Sequence, residues 1–374
     1  MVTTKARQPH RSSPATLSDV ASRAGVSPMT VSRVVNGGPG VRGETRDRVQ
    51  AAIEALKYVP NQAARRLAGS ELVRLGVLYS NPSAGYLSEF LVGLLNEASL
   101  SHVQLVVERS EGASAGRGTA AFLASGIDAV IIAPPLCDSL ELIESVVASG
   151  LFAVLVASGK PDPRLCAVGV DDYEGAACMT RHLIALGHQR IGFITGRSSQ
   201  TATACRLAGF RDAMRAAKLP LPAELVAPGA FTYSSGLDAA EALLTLQPRP
   251  TAVFASNDDM AAATVAVAHR MGIDVPGDLT VVGFDDTPIA TTIWPELTTI
   301  RQPIGDMARS AVELLVRQVT ARRTGADAPP QVERMAFELV RRQSDAAPRK
   351  RPAARVDDAV VTALGSGARR RTRS

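Results

Sequence analysis

From residue 75 onward, short apolar runs rich in β-branched residues alternate with longer stretches of helical periodicity. The runs are LGVLYS (75–80), VQLVVE (103–108), DAVIIAP (128–134), FAVLVA (152–157), RIGFIT (190–195), TAVFAS (251–256) and LTVVGFDD (279–286). Helical stretches fall near 86–99, 115–125, 138–149, 174–187, 201–217, 235–246, 258–271 and 305–321. A strand apolar at nearly every position must be covered on both faces. That is the condition of parallel sheets sandwiched between helices. The expected body, 71–343, is an α/β core of two parallel-sheet subdomains. The first spans about 71–170, the second about 171–297, and the chain returns to the first over 298–343.

In open α/β sheets, ligands bind beyond the carboxyl ends of the strands. Ser80 and Asn81 follow the first run, with Tyr86 just beyond. Asp172 and Glu174 follow the crossover near Val170, Asn257 follows TAVFAS, and Asp285 follows VVGF. Arg206 lies in CRLAGF, Phe231 lies in a loop, and Trp294 is the only tryptophan of the chain. An arginine, carboxylates, an asparagine and aromatic rings near strand ends have the chemistry to hold a sugar. Amides and carboxylates pair with hydroxyls, and an aromatic face covers the apolar side of the ring. Each residue also has a structural reading. Asn257 can cap the next helix, Asp285 can brace a turn, and Arg206 can be half of an ion pair with a sheet-end aspartate. Trp294 can be core and Tyr86 surface.

The first 70 residues follow a different pattern. Residues 16–36 read TLSDVASRAGVSPMTVSRVVN. Leu17, Val20, Ala21 and Ala24 make one helical stripe, and Gly25 can adopt the left-handed conformation that ends it. Ser27 suits an N-cap and Pro28 the first position of the next helix. Val31, Val34 and Val35 make the second stripe, with Met29, Thr30, Ser32, Arg33 and Asn36 on the opposite face. Two short helices locked across a glycine turn form a helix-turn-helix, or else a plain αα-corner. ETRDRVQAAIEALK (44–57) supplies a third amphipathic helix. NQAARRLAGS (61–70) follows, with almost no apolar face of its own, as a short hinge helix or a linker.

The succession of this helix-turn-helix, VVNG, TRDRVQAAIEALKYVPN and NQAARRLAG resembles the LacI/GalR family of bacterial repressors. CRLAGF, FASNDDMA, VVGFDD and PELTTIRQP are similar to the sensor motifs of that family. The resemblance implies an all-α DNA-binding domain over 16–60, a hinge helix over 61–70, and a periplasmic-binding-protein-like sensor. It also implies a homodimer that grips a near-palindromic DNA operator. Residues 28–36 would lie in the major groove, with Pro28 and Met29 helping to choose the operator. Arg33 can present two donors to a guanine, and Thr30, Ser32 and Asn36 would meet phosphates or base edges. Thr16, Leu17, Ser27, Asn61 and Ala64 join this DNA-binding set, and Leu67 would wedge into the minor groove. Pro28 has no N–H, so it can offer only apolar contact. Arg206, Asn257, Asp285 and Phe231 fall on positions that contact effector, with Glu174 and Gln302 added by the same comparison. The implied partner is a small-molecule effector, a sugar or sugar acid.

Charge agrees with a division of labour. Residues 1–70 and 341–374 each carry a net +7, leaving −9 for the middle of a chain whose overall charge is +5. A basic head suits a polyanion, and an acidic body does not. Residues 1–15 read as a basic disordered arm and 344–374 as a basic, solvated tail. The polar N-terminus and the lack of any apolar run of about 20 residues give a cytoplasmic, nucleoid-associated expectation. The four cysteines show no zinc or disulfide spacing, so neither metal nor cofactor is expected. No nucleotide-loop, nucleophile-elbow or zinc-protease pattern occurs in the chain. The expected function is therefore an effector-responsive transcriptional regulator, most simply a repressor. A sugar-transport receptor and an α/β enzyme with an accessory DNA domain are the alternatives.

Overall fold

The computed structural model describes residues 16–35, 41–56, 72–110 and 115–349. The arm, Asn36, the hinge residues Asn61, Ala64 and Leu67, and the tail beyond residue 349 lie outside the described residues. The chain divides into two compact units, Met1–Leu72 and Val73–Ser374.

The first unit holds α1 (Leu17–Ala24), α2 (Pro28–Val35) and α3 (Gly43–Leu56). Thr16 and Asp19 form a reciprocal capping box at the start of α1. The Asp19 carboxyl accepts the Thr16 amide at 2.8 Å and its hydroxyl at 2.7 Å. Gly25 ends α1 at φ +64°, a conformation that costs a residue with a Cβ about 1 kcal/mol or more. Ser27 Oγ then accepts the Thr30 amide at 3.2 Å and starts α2. Val20, Ala21, Ala24, Val31, Val49 and Ala52 close a small core from all three helices.

The second unit begins with β1 (Arg74–Tyr79), α4 (Ala84–Leu100), β2 (Gln104–Arg109), α5 (Ala115–Leu123), β3 (Ala129–Ile132), α6 (Leu140–Ser149), β4 (Phe152–Val156) and β5 (Cys166–Gly169). It continues with α7 (Asp172–Ala185), β6 (Ile191–Ile194), α8 (Thr201–Ala216), β7 (Val226–Ala227), α9 (Tyr233–Leu244), β8 (Ala252–Ala255), α10 (Asp258–Arg270) and β9 (Thr280–Asp285). It ends with α11 (Ile289–Thr292), β10 (Thr298–Arg301), α12 (Ile304–Thr324), β11 (Val332–Arg334) and β12 (Glu338–Val340). Two six-stranded sheets result, ordered β11-β5-β4-β3-β1-β2 and β12-β10-β9-β8-β6-β7. All pairings are parallel except β10 with β12. The continuous apolar runs are buried as that architecture demands: β3, β6 and β8 are buried at every residue.

Two boundaries differ from the sequence expectation. The chain does not return to the first half at residue 298. Strand β10 completes the second sheet, pairing Thr298 with Val282 and Arg301 with Asp285. Only then does α12 pack on α4, β4 and β5, and β12 later rejoins the second sheet. Strand β10 escapes an apolar-run reading because Thr298 and Thr299 are fully buried with their hydroxyls satisfied. Thr299 donates to Asp258 at 2.6 Å and Thr298 to Asp345 at 2.5 Å. The second correction concerns residues 344–349, expected to be solvated. Ser344 Oγ accepts the Thr298 amide at 2.9 Å and donates to the Val281 carbonyl at 2.5 Å. Asp345 meets His182 at 2.8 Å, and Arg349 reaches Asp274 at 2.6 Å. These groups continue the sheet edge, so the segment is structure and not tail.

The two halves are joined at the crossovers near residues 170, 302 and 336. Helices α7 and α8 lie unusually close, since a Cβ on Gly209 would sit 2.1 Å from the Tyr173 carbonyl oxygen. That approach brings Arg206 of α8 beside Asp172 at the start of α7.

Candidate functional site

On α2, Pro28, Met29 and Arg33 are exposed, Met29 by 67%, while Thr30 and Ser32 are half-buried. Ser27 and Thr30 hold each other through their hydroxyls at 2.9 Å. The outward surface of α2 is therefore Pro28, Met29 and Arg33, an apolar pair beside a bidentate cation. Two residues expected in the DNA-binding set also have roles within the unit. Leu17 packs against the three-helix core, and the amide and hydroxyl of Thr16 are engaged with Asp19.

A cleft opens at the carboxyl ends of both sheets. Asn81 faces it from the β1–α4 connection, Tyr86 from the first turn of α4, and Pro134, Asp138 and Ala157 from beyond β3 and β4. Gln200 and Arg206 of the α8 region, Phe231, Asn257 and Asp285 close it from the second half, with Gln302 at a crossover. The two walls also touch directly: Ser83 Oγ donates to the Asp259 carboxylate at 2.5 Å. Burial of Asp259 raises its pKa, and the Ser83 bond opposes that rise.

Arg206, 4% exposed, organises the floor. Its Nε donates to Asp172 at 2.7 Å, Nη1 donates to the Ser256 carbonyl, and Nη1 lies 3.7 Å from Asp285. Its guanidinium carbon stands 3.7 Å from the centroid of the Phe284 ring and 5.8 Å from that of Phe231. Burial pushes the Asp285 carboxyl up to about 7, although Arg206 and a 2.6 Å hydrogen bond from Gln302 pull it down. Burial likewise raises Asp172 against the pull of Arg206. Asp258 is raised well above the carboxylate range by burial and by the nearby charge of Asp285. It is nonetheless held by Thr299 and by the Thr287 amide at 2.7 Å.

The backbone around this floor is strained. Ala157, Phe231, Asp285 and Asp286 have φ of +54°, +60°, +114° and +60°. Three of these four residues line the cleft. Non-glycine residues in such regions cost on the order of 1–3 kcal/mol each and cluster at ligand clamps.

Among the sequence-expected effector residues, Asn81, Tyr86, Arg206, Phe231, Asn257, Asp285 and Gln302 converge here. Asn257 does two things: Oδ1 caps α10 by accepting the Met260 amide at 3.1 Å, and Nδ2 donates to the Phe231 carbonyl at 3.3 Å. Four others lie outside the cleft lining. Trp294 is 72% exposed, on a turn after α11, and does not line the cleft. Glu174 lies on the outer face of α7, paired with Arg181; it is two residues past the buried Asp172, about half a helical turn away. Asp172 supports Arg206 from behind, and Ser80 precedes the lining segment. Asp138 and Gln200 line the cleft and were missed. Asp138 sits on a 3-10 turn after β3, where its carboxylate accepts Ser158 Oγ and Thr201 Oγ1, each at 2.7 Å. Among the described residues, no group of three or more His, Cys, Asp or Glu side chains is arranged to hold a metal, and no helix is long and apolar enough to cross a membrane.

A helix-turn-helix unit joined to a two-sheet, cleft-bearing unit defines a class, the DNA-binding regulators with a periplasmic-binding-protein-like domain. The sequence pattern of the bacterial regulatory proteins, lacI family, matches residues 16–61, and that of the periplasmic binding protein-like domain matches residues 180–344. Catabolite control protein A of Priestia megaterium is 32% identical over 81% of this chain and 92% of its own length. The regulator AscG of Escherichia coli is 32% identical over 89% of this chain and 99% of its own. A lac repressor dimer, solved bound to operator and the anti-inducer ONPF, superposes with a TM-score of 0.75. Its identity is 30%, covering 90% of this chain and 100% of that one. A complex of the regulator CelR with cellobiose gives a TM-score of 0.68 at 31% identity, covering 88% of this chain and 99% of that one. The chain belongs to the lacI family of bacterial transcriptional regulators.

Proposed function

We propose that this regulator binds a near-palindromic operator as a homodimer and that a sugar or sugar derivative, held in the cleft, controls its DNA affinity. The observation that carries the reading is the cleft itself. Its walls come from both halves of the second unit, and its floor is an arginine set among carboxylates and aromatic rings. A ligand touching both walls favours one relative setting of the halves. It therefore shifts any equilibrium coupled to that setting by its difference in affinity for the two states. Pro28, Met29 and Arg33 supply the sequence-reading surface, the hinge at 61–70 carries the coupling, and Leu67 inserts at the operator centre. The chain acts by binding alone, repressing transcription while its operator is occupied. The sensor resembles a regulator solved with cellobiose, which favours a sugar-type ligand.

The test is fluorescence anisotropy of labelled DNA from upstream of the chain's own reading frame, with and without a panel of mono- and disaccharides. Nanomolar binding altered by one sugar supports the proposal. Binding that no sugar alters, together with sugar turnover, would replace it with the enzyme alternative.

A further inference from the structure

We infer that the cleft takes an uncharged polyhydroxy ligand and rejects the carboxylate and phosphate derivatives of the same sugars, with Asp138 and Gln302 setting that choice. The inference rests on the sugar reading above and narrows it. Among the described residues, the only cation lining the cleft is Arg206. Its charge is already matched by Asp172 at 2.7 Å and Asp285 at 3.7 Å, and its Nη1 donates to the Ser256 carbonyl. A second carboxylate, Asp138, faces the same space from the opposite half. It is fixed by Ser158, by Thr201 Oγ1 and by the Thr201 amide at 2.8 Å. Three carboxyl groups, Asp138, Asp172 and Asp285, thus stand around one guanidinium. The rise of Asp285 is a separate symptom of the same burial and like charge.

The unmet polar atoms ask for the same ligand chemistry. Gln302 gives its Nε2 to Asp285 at 2.6 Å, which leaves Oε1 buried without a partner, and the Tyr86 hydroxyl is likewise buried and unpaired. Both residues line the cleft and are about 95% buried. Gln302 Oε1 can only accept, so it needs a donor from the ligand; the Tyr86 hydroxyl can donate or accept. A sugar hydroxyl can serve both. An anionic oxygen can satisfy Tyr86, but one placed at Gln302 Oε1 would face it lone pair to lone pair. A unit anion about 6 Å from one carboxylate, at an effective dielectric constant near 20, loses about a hundredfold in affinity.

The test is titration calorimetry on the full chain with matched probe series. Glucose is compared with gluconate and glucose 6-phosphate, ribose with ribonate and ribose 5-phosphate, and cellobiose with cellobionate. In the series that binds, the expected result is an uncharged sugar at least tenfold tighter than its acid and its phosphate. In Asp138→Asn that ratio narrows, and in Gln302→Glu it widens. A merely structural role for either residue would weaken all members of a series together. An acid or phosphate that binds as tightly as its parent sugar overturns the inference and leaves the sugar reading standing. No binding in any series overturns both.

Discussion

Arg206→Met is the most demanding perturbation of the cleft. Methionine matches the length and apolar body of the stem, so it leaves little empty volume between Phe284 and Phe231. It removes the cation that sits 2.7 Å from Asp172 and 3.7 Å from Asp285, carboxyls only 4% and 5% exposed. Removing one partner of a buried ion pair costs about 3–5 kcal/mol, because the remaining charge is left uncompensated. The loss depends on pH in a definite direction. Arg206 is what holds both carboxyls down, so in the variant both folded-state pKa values rise further. The folded variant then keeps protons that the folded parent releases, so its deficit relative to the parent grows as pH rises above the parent's folded-state values, about 7 for Asp285. The assay is urea denaturation of the full chain followed by far-UV circular dichroism. The expected loss is about 3–5 kcal/mol at pH 7.5 and clearly less at pH 5. The double variant Arg206→Met/Asp172→Asn should recover about half of it. A loss below about 1 kcal/mol, typical of a surface pair, or one equal at both pH values, would refute the reasoning.

Asp285→Asn reads the same floor from the other side. Its folded-state pKa of about 7 lies above its unfolded value, so its contribution to stability is fully present below about pH 4 and lost as pH rises toward 7. The variant should therefore gain on the parent across that window in thermal melts; a constant difference would show that Asp285 does not titrate there. Truncation after Gln343 strands the Thr298 amide and the buried Thr280 hydroxyl, each costing about 1–3 kcal/mol. Truncation after Arg349 should change the melting midpoint little, and equal effects would return residues 344–349 to the tail. Arg33→Ala should cost about 1–3 kcal/mol of operator binding and relax preference at one base pair. Equal loss on all DNA sequences would make Arg33 a phosphate contact.

What was legible in the sequence followed from patterns with a local cause. The left-handed Gly25 and the Ser27–Pro28 start are each a backbone requirement met by residue types that suit it. The long apolar strands announced themselves because two covered faces leave no polar position. Strand β10 did not, since Thr298 and Thr299 are buried by finding hydroxyl partners more than 40 residues away. The three-residue β11 and β12 are too short to carry any period. In the cleft, residues directly after long strands were found, because topology places them. Asp138 was missed because a 3-10 turn separates it from β3, and its role depends on Ser158 and Thr201 meeting it. Trp294, chosen on residue type alone, lies outside the cleft lining, and so does Glu174, because two steps along α7 turn a side chain from the floor to the outside.

The most direct test of the switch is reciprocity. Operator affinity is measured with and without saturating sugar, and sugar affinity with and without saturating operator. If one ligand-coupled equilibrium links cleft and helix-turn-helix, the two ratios are equal, on the order of 5–150-fold. An operator affinity unchanged at saturating sugar, or two ratios that disagree beyond error, would contradict it.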